Sequence, residues 1–127
     1  MRAKLVNENI GNILKPKSDE ELEIVFDKLS SEQHKFNKAV QIGYLSKVKE
    51  LINNEDVDPY YNNYYLFTFS LEKEYDDIFK VLLDYEKKYQ KMTLYDIDFL
   101  ITRAHFLKSF NIKKILQEYK NYRQYGR

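Results

Sequence analysis

The side chains able to do chemistry are sparse in this sequence. His34 and His105 are the two histidines among 127 residues, and there is no cysteine. His34 stands beside Gln33 and Lys35, which predicts a solvent-facing ring; His105 lies between Ala104 and Phe106, which predicts a half-buried one. Neither has a second histidine or a cysteine at metal-ligand spacing, so no metal site and no cofactor are expected. Gly11, Gly43 and Gly126 are too far apart to make a loop that cradles phosphate. No serine sits in a nucleophile-elbow pattern. Asp56 and Asp58 pair carboxylates in a hairpin-like turn, and Asp76-Asp77 suits the first turn of a helix. A carboxyl group acting as general acid needs burial to raise its pKa, and polar loops rarely supply it. The expectation is a non-catalytic protein.

Binding suits the residue types better. Asp56 to Phe67 reads DVDPYYNNYYLF, with Tyr60, Tyr61, Tyr64 and Tyr65 gathered around Asn62-Asn63. Tyrosine offers a large rigid surface with a polar tip, and it is enriched among interface anchors. These four rings are the candidate protein-binding residues. Two are expected to pack and two to project, with Tyr60 and Tyr61 as the exposed pair. A second candidate surface is the basic C-terminal stretch. From Arg103 onward seven basic residues face one acid, Glu118, giving a local charge of +6 in a chain whose net charge is +1. There Lys113, Lys114, Tyr119, Lys120, Tyr122 and Arg123 alternate cations with rings, an arrangement that can hold a single nucleic-acid strand by stacking and phosphate contact. Cations at a helix C-terminus also simply suit the helix dipole.

The elements that must position these residues are helices. Three glycines and two prolines are too few for the turns of an all-β chain. Residues 1–17 read as an arm with an apolar stripe, Leu5, Val6, Ile10, Ile13 and Leu14, ending at Pro16. Ser18 to Glu21 forms a capping box that opens a helix with Leu22, Val25, Phe26 and Leu29 on one face. Ser30-Ser31-Glu32-Gln33 repeats the start signal for the next, with Phe36, Ala39 and Val40 inward and Gly43 as a left-handed stop. Leu45, Val48, Leu51 and Ile52 mark a third. After the tyrosine-rich loop come Leu66 and Phe69, then Ile78, Val81, Leu82 and Tyr85. Thr93 and Asp96 form a capping-box variant, followed by Phe99, Leu100, Ala104 and Leu107 as the expected inward face. Ile112, Ile115, Leu116 and Tyr119 complete the last helix.

A shift of thirty residues aligns Phe36 with Leu66, Val48 with Ile78, Leu51 with Val81 and Ile52 with Leu82. A period of this size marks stacked supersecondary units. Ala39 to Ile52, AVQIGYLSKVKELI, resembles the middle of an ankyrin repeat, and Asp56 to Pro59 sits where that family places its hairpin. The resemblance extends over Phe36–Pro59, less closely over Tyr64–Leu83, and into Leu100–Leu116. It departs at Tyr64 to Phe67, which replaces the family's Thr-Pro-Leu-His, at Phe69 where alanine is usual, and at Lys73 where glycine is usual. The leader ending LKPKSDEEL also resembles those of small ankyrin-like proteins of phages and other viruses.

The resemblance implies an all-α fold of stacked helix–turn–helix hairpins with capping helices. The organisation expected is one domain over 1–127: an arm at 1–17, hairpins over 18–92, and a C-terminal helical pair with a basic tail over 93–127. It implies a module that binds a host or virion protein; the alternative partner, nucleic acid, rests on the basic Tyr-rich C-terminus. No apolar run approaches the ~20 residues of a membrane span, and the lack of cysteine suits a reducing cytoplasm.

Overall fold

Two side chains open helices where the sequence places them. The Ser31 hydroxyl accepts from the His34 N–H at 3.1 Å. Thr93 and Asp96 form a reciprocal capping box, with Thr93 Oγ1 accepting from the Asp96 N–H (3.1 Å) and Asp96 Oδ2 from the Thr93 N–H (3.0 Å). The computed structural model describes residues 31–126 together with Glu21, Glu23, Ile24, Phe26, Lys28 and Leu29. The chain divides into two compact units, Met1–Ser30 and Ser31–Arg127. In the first, Glu21, Glu23, Ile24 and Phe26 are helical. The expected arm over 1–17 and the cap residue Ser18 lie outside the described residues.

The second unit is all-helical: α1 (Glu32–Ile42), α2 (Leu45–Leu51), α3 (Tyr61–Glu72), α4 (Asp76–Tyr89), α5 (Leu94–Phe106) and α6 (Phe110–Tyr125). No strand occurs among the described residues. Consecutive helices pair as α1–α2, α3–α4 and α5–α6, and α1 also packs on α3, α3 on α5, and α2 on α4. The buried side chains form one core in this unit, with Phe36, Leu66, Phe67, Phe79, Leu100 and Leu116 among the least exposed. Each such side chain contributes roughly 1.5–3 kcal/mol through removal from water.

The three pairs turn in the same way. Gly43, Glu74 and Lys108 each adopt the left-handed conformation, at φ 76°, 61° and 60°. In each turn that residue's N–H bonds the carbonyl three residues back, and the next N–H reaches five back: Tyr44 to Ala39 (2.8 Å), Tyr75 to Ser70 (2.8 Å), Ser109 to Ala104 (2.9 Å). This is the Schellman arrangement. Ala39, Ser70 and Ala104 are fully buried, and their small side chains allow close helix approach.

That geometry corrects the expected register. Glu74 lies thirty-one residues after Gly43, not thirty, and Lys108 thirty-four after Glu74. Val48 therefore corresponds to Phe79 rather than Ile78, and Ala39 to Ser70 rather than Phe69. Phe69 is turned half outward, so it does not wedge its helices apart. The left-handed stop falls on Glu74, not on Lys73. Ile78 instead corresponds to Lys47, which is buried along its stem and pairs its ammonium with Glu50 at 3.2 Å.

Candidate functional site

The tyrosine-rich loop is tied down from both ends. Asp58 Oδ1 accepts from the Tyr60 N–H (2.9 Å) in an Asx turn. The Gln33 side chain of α1 bonds both the N–H (2.6 Å) and the carbonyl (3.2 Å) of Asp58. Asn62, Asn63 and Tyr64 then form a left-handed turn, at φ 57°, 56° and 64°, before α3 continues right-handed from Tyr65. Asparagine tolerates this conformation, whereas a residue such as tyrosine gives up roughly 1–2 kcal/mol. Residues four apart share a side of a helical turn, so Tyr60 falls with Tyr64 and Tyr61 with Tyr65.

Tyr60 and Tyr64 turn inward, each onto a carboxylate. Tyr64 Oη donates to Asp96 Oδ2 at 2.9 Å, joining the loop to the cap of α5. Tyr60 Oη donates to Glu86 Oε1 at 2.7 Å, and its ring stacks on Phe67 at 5.7 Å between centroids. Tyr60 is half-buried. The expectation of Tyr60 and Tyr61 as the exposed pair is corrected: Tyr61 and Tyr65 are the outward rings, while Tyr60, held by the Asx turn at Asp58, reaches Glu86. Burial, then the bonded Glu86, push the Tyr60 phenol pKa up. Burial and Asp96 do the same for Tyr64.

Glu86 is the centre of a buried polar cluster that the sequence does not announce. It has no exposed surface. Its carboxylate accepts from Tyr60 Oη, Tyr119 Oη (2.7 Å), Arg123 Nη1 (2.9 Å) and the N–H groups of Lys91 (3.0 Å) and Met92 (3.1 Å). A carboxylate offers about four lone-pair sites, so these donors leave none for a substrate. Burial raises the Tyr119 phenol, and its bond to Glu86 adds to this while Arg123 opposes, bringing the pKa to about 12. The cluster joins the tyrosine loop, α4, the loop before α5, and α6.

The candidate nucleic-acid residues are mostly engaged within the fold. Tyr119 is buried and Arg123 pairs with Glu86. Lys120 pairs with Asp98 at 2.7 Å. Lys113 Nζ lies 3.1 Å from His105 Nδ1. Lys114 and Tyr122 are exposed. Arg103 pairs with Glu72. The acids gathered over α3–α5 thus meet much of the +6 charge that follows residue 103. His34 is exposed as expected; His105 is exposed rather than half-buried, with its ring edge-on to Phe106 and Phe110. Between α4 and α6 lies an open cleft of about 320 Å³ lined by Lys87, Ile115, Glu118, Tyr119 and Tyr122.

The surface that stands out is the open side of α3 and α5. Ile97, Leu100 and Ala104 set the buried side of α5, which turns Tyr95, Phe99 and Phe106 to solvent at 80%, 51% and 72% exposure. The sequence pattern predicts Phe99 inward. It points out because the helix phase is fixed by Ile97, two residues earlier. On α3, Tyr65, Phe69 and Glu72 lie four and three residues apart on the outer side, with Tyr65 and Phe69 rings 5.7 Å apart. The pair Arg103–Glu72 bridges the two helices across this side. The corresponding positions on α1, thirty-one residues before those on α3, are His34, Lys38 and Gln41. The open face is therefore aromatic on α3 and α5 and polar on α1.

Among the described residues, no group of three histidine, aspartate or glutamate side chains could hold a metal ion, and no helix is long and apolar enough to cross a membrane. No protein family, curated protein or solved structure matches this chain.

Proposed function

We propose that this protein is a non-catalytic protein–protein interaction module, built as an ankyrin-like stack of helical hairpins. The recurrence of one turn geometry at Gly43, Glu74 and Lys108, and the packing of α1 on α3 and α3 on α5, support the repeat reading. The aromatic open face of α3 and α5 carries the binding reading. Large exposed rings gathered on one side of two adjacent helices are what a protein interface presents before it is covered. The mechanism is occupancy: a preformed surface blocks or bridges its partner without turnover. The leader's resemblance to phage and viral ankyrin-like proteins favours an accessory role toward a host or virion protein in the host cytoplasm. The nucleic-acid alternative draws less support, since Lys113, Lys120 and Arg123 already have partners within the fold.

The test is affinity capture from host lysate with the full chain, beside the Tyr65→Ser/Phe99→Ser variant and a Lys114→Gln control. Proteins retained by the wild type and the control, but lost by the face variant while its circular dichroism shows it folded, support the reading. Equal retention by all three refutes it.

A further inference from the structure

Resting on that reading of the face, we infer that its partner is an acidic segment of another protein that carries apolar side chains among its carboxylates. The hairpin register lines up the open positions of α1, α3 and α5, thirty-one and then thirty-four residues apart. They form three rows across the stack. His34, Tyr65 and Phe99 make the first row, and Lys38, Phe69 and Arg103 the second. Gln41, Glu72 and Phe106 make the third. Packed helices lie about 8–10 Å apart, so each row runs roughly 20 Å.

The middle row is cationic. Lys38 is exposed, and the exposed Lys73, one turn on from Phe69, holds its ammonium 5.8 Å from the Phe69 ring centroid. Neither lysine meets a carboxylate among the described residues. Arg103 completes the row. Its guanidinium is bonded to Glu72, but five N–H donors leave it able to take a second carboxylate. Three cations therefore face one acid that is already engaged, a local charge of +2 in a chain whose total is +1. The other acids nearby are committed elsewhere. Asp96 caps α5 and receives Tyr64, and Asp98 is paired with Lys120. Glu74 lies past the end of α3, in a groove with Asp76 and Lys108.

Exposed rings flank that row, Tyr65 and Phe99 on one side and Phe106 on the other. Beyond Phe106 the aromatic surface runs through His105 to Phe110, where Lys113 places a second ammonium 6.0 Å from a ring centroid. A cation held against an exposed ring offers a carboxylate partner and apolar contact at one spot. A ligand that matches this face needs carboxylates along its centre and apolar side chains on both flanks, and charge complementarity of this kind sets partner choice. A nucleic-acid strand fits less well. It presents a phosphate at every nucleotide and is held by cations along its whole path, whereas the first and third rows hold no lysine or arginine and Glu72 stands in the third.

Selection from a display library of random peptides on the immobilised full chain reads the partner's chemistry. Peptides enriched by the wild type should be net negative and contain aromatic or aliphatic side chains. Fluorescence anisotropy with the most enriched peptide should show binding that weakens as salt rises. Lys38→Glu/Lys73→Glu should weaken it by about tenfold or more, the effect of setting like charges opposite one another, while circular dichroism shows the variant folded. Lys80→Glu/Lys114→Glu makes the same change in net charge at exposed positions of α4 and α6 and should bind as the wild type does. Enrichment of neutral or basic peptides, no enrichment, or acidic peptides that ignore the Lys38→Glu/Lys73→Glu reversal each overturns the inference. Retention of oligo(dT) that depends on Lys38 and Lys73 overturns it too, and assigns the face to nucleic acid. Lysate capture separates this inference from the reading it rests on. Partners lost with Tyr65→Ser/Phe99→Ser but kept with Lys38→Glu/Lys73→Glu end the acidic assignment and leave the interaction reading standing; partners kept by both variants end both.

Discussion

Two sets of aromatic rings a few residues apart are used in opposite ways. Tyr60, Tyr64 and Tyr119 point inward and give their hydroxyls to Glu86 and Asp96. Tyr65, Tyr95, Phe99 and Phe106 point outward and leave their surface to solvent. A buried phenol must find an acceptor or lose the value of its hydrogen bond, so the inner set fixes the loop and helix ends in one geometry. The outer set has no such duty within the fold. The difference shows that residue type does not decide whether a tyrosine is structural or available. The left-handed turn at Asn62–Tyr64 and the phase of α5 decide it.

The comparison is broken most strongly at its inner end. Glu86→Ala removes one carboxylate and strands Arg123, two phenols and two backbone N–H groups inside the protein. Loss of one partner from a buried ion pair typically costs about 3–5 kcal/mol, and chemical denaturation should show a loss of that order. Glu86→Gln keeps the shape and should cost less. If Glu86→Ala unfolds like the wild type, the cluster is not what holds the loop to α6.

Alkaline pH tests the same cluster without substitution. The Tyr119 pKa is about 12 in the folded chain, against roughly 10 in an unfolded one. A phenol raised in this way stabilises the fold fully below pH ~10, and that contribution is lost as pH rises through ~12. Tyr60 shifts in the same direction, from burial and from Glu86. Denaturant midpoints measured upward from pH ~9 should fall in this window, and absorbance titration should show these phenols ionising late. Asp96 carries the opposite sign. Burial opposes its ionisation, but bonds from Thr93 and Tyr64 outweigh it and lower the pKa. Its contribution is present above the ordinary aspartate pKa of ~3.9 and disappears as pH falls through the lowered value.

Tyr64→Phe is the smaller inner test. It deletes the bond to Asp96 while keeping the ring, so a loss of about 1.5 kcal/mol is expected, the low end of the scale for one hydrogen bond to a charged group. Asp96 keeps its cap with Thr93, which limits the damage.

Much of the helical layout was legible because it is local. Ser31, Thr93 and Gly43 act at their own chain positions, and the buried stripes of α1, α2 and α6 follow from 3.6-residue spacing. What failed was information set at a distance. Glu86 precedes Lys87 and Lys88, and reads as part of a solvated charged run; its burial comes from Tyr60, Tyr119 and Arg123, which are remote in sequence. The register slipped by one because Glu74 and Lys108 do the left-handed work that glycine does at position 43. The small buried residues Ala39, Ser70 and Ala104, each four before a left-handed residue, were the signal that would have set it. Asn62-Asn63 predicts a turn, but nothing local requires Tyr64 to join it in the left-handed region.

The outer rings offer the smallest stability effect and the sharpest contrast. Tyr65 and Phe99 are already 38% and 51% exposed, so replacing either by serine should cost only about 1 kcal/mol. The sequence pattern alone put Phe99 among the inward residues of α5, where a serine would cost about 3–5 kcal/mol, as large-to-small core changes do. The two placements therefore differ by several-fold in a single denaturation curve. A small loss keeps Phe99 with the open face and leaves Ile97, Leu100 and Ala104 as the buried side of α5. A loss on the core scale would mean that Phe99 is buried beside Leu100 and that the open aromatic face on which binding depends does not exist.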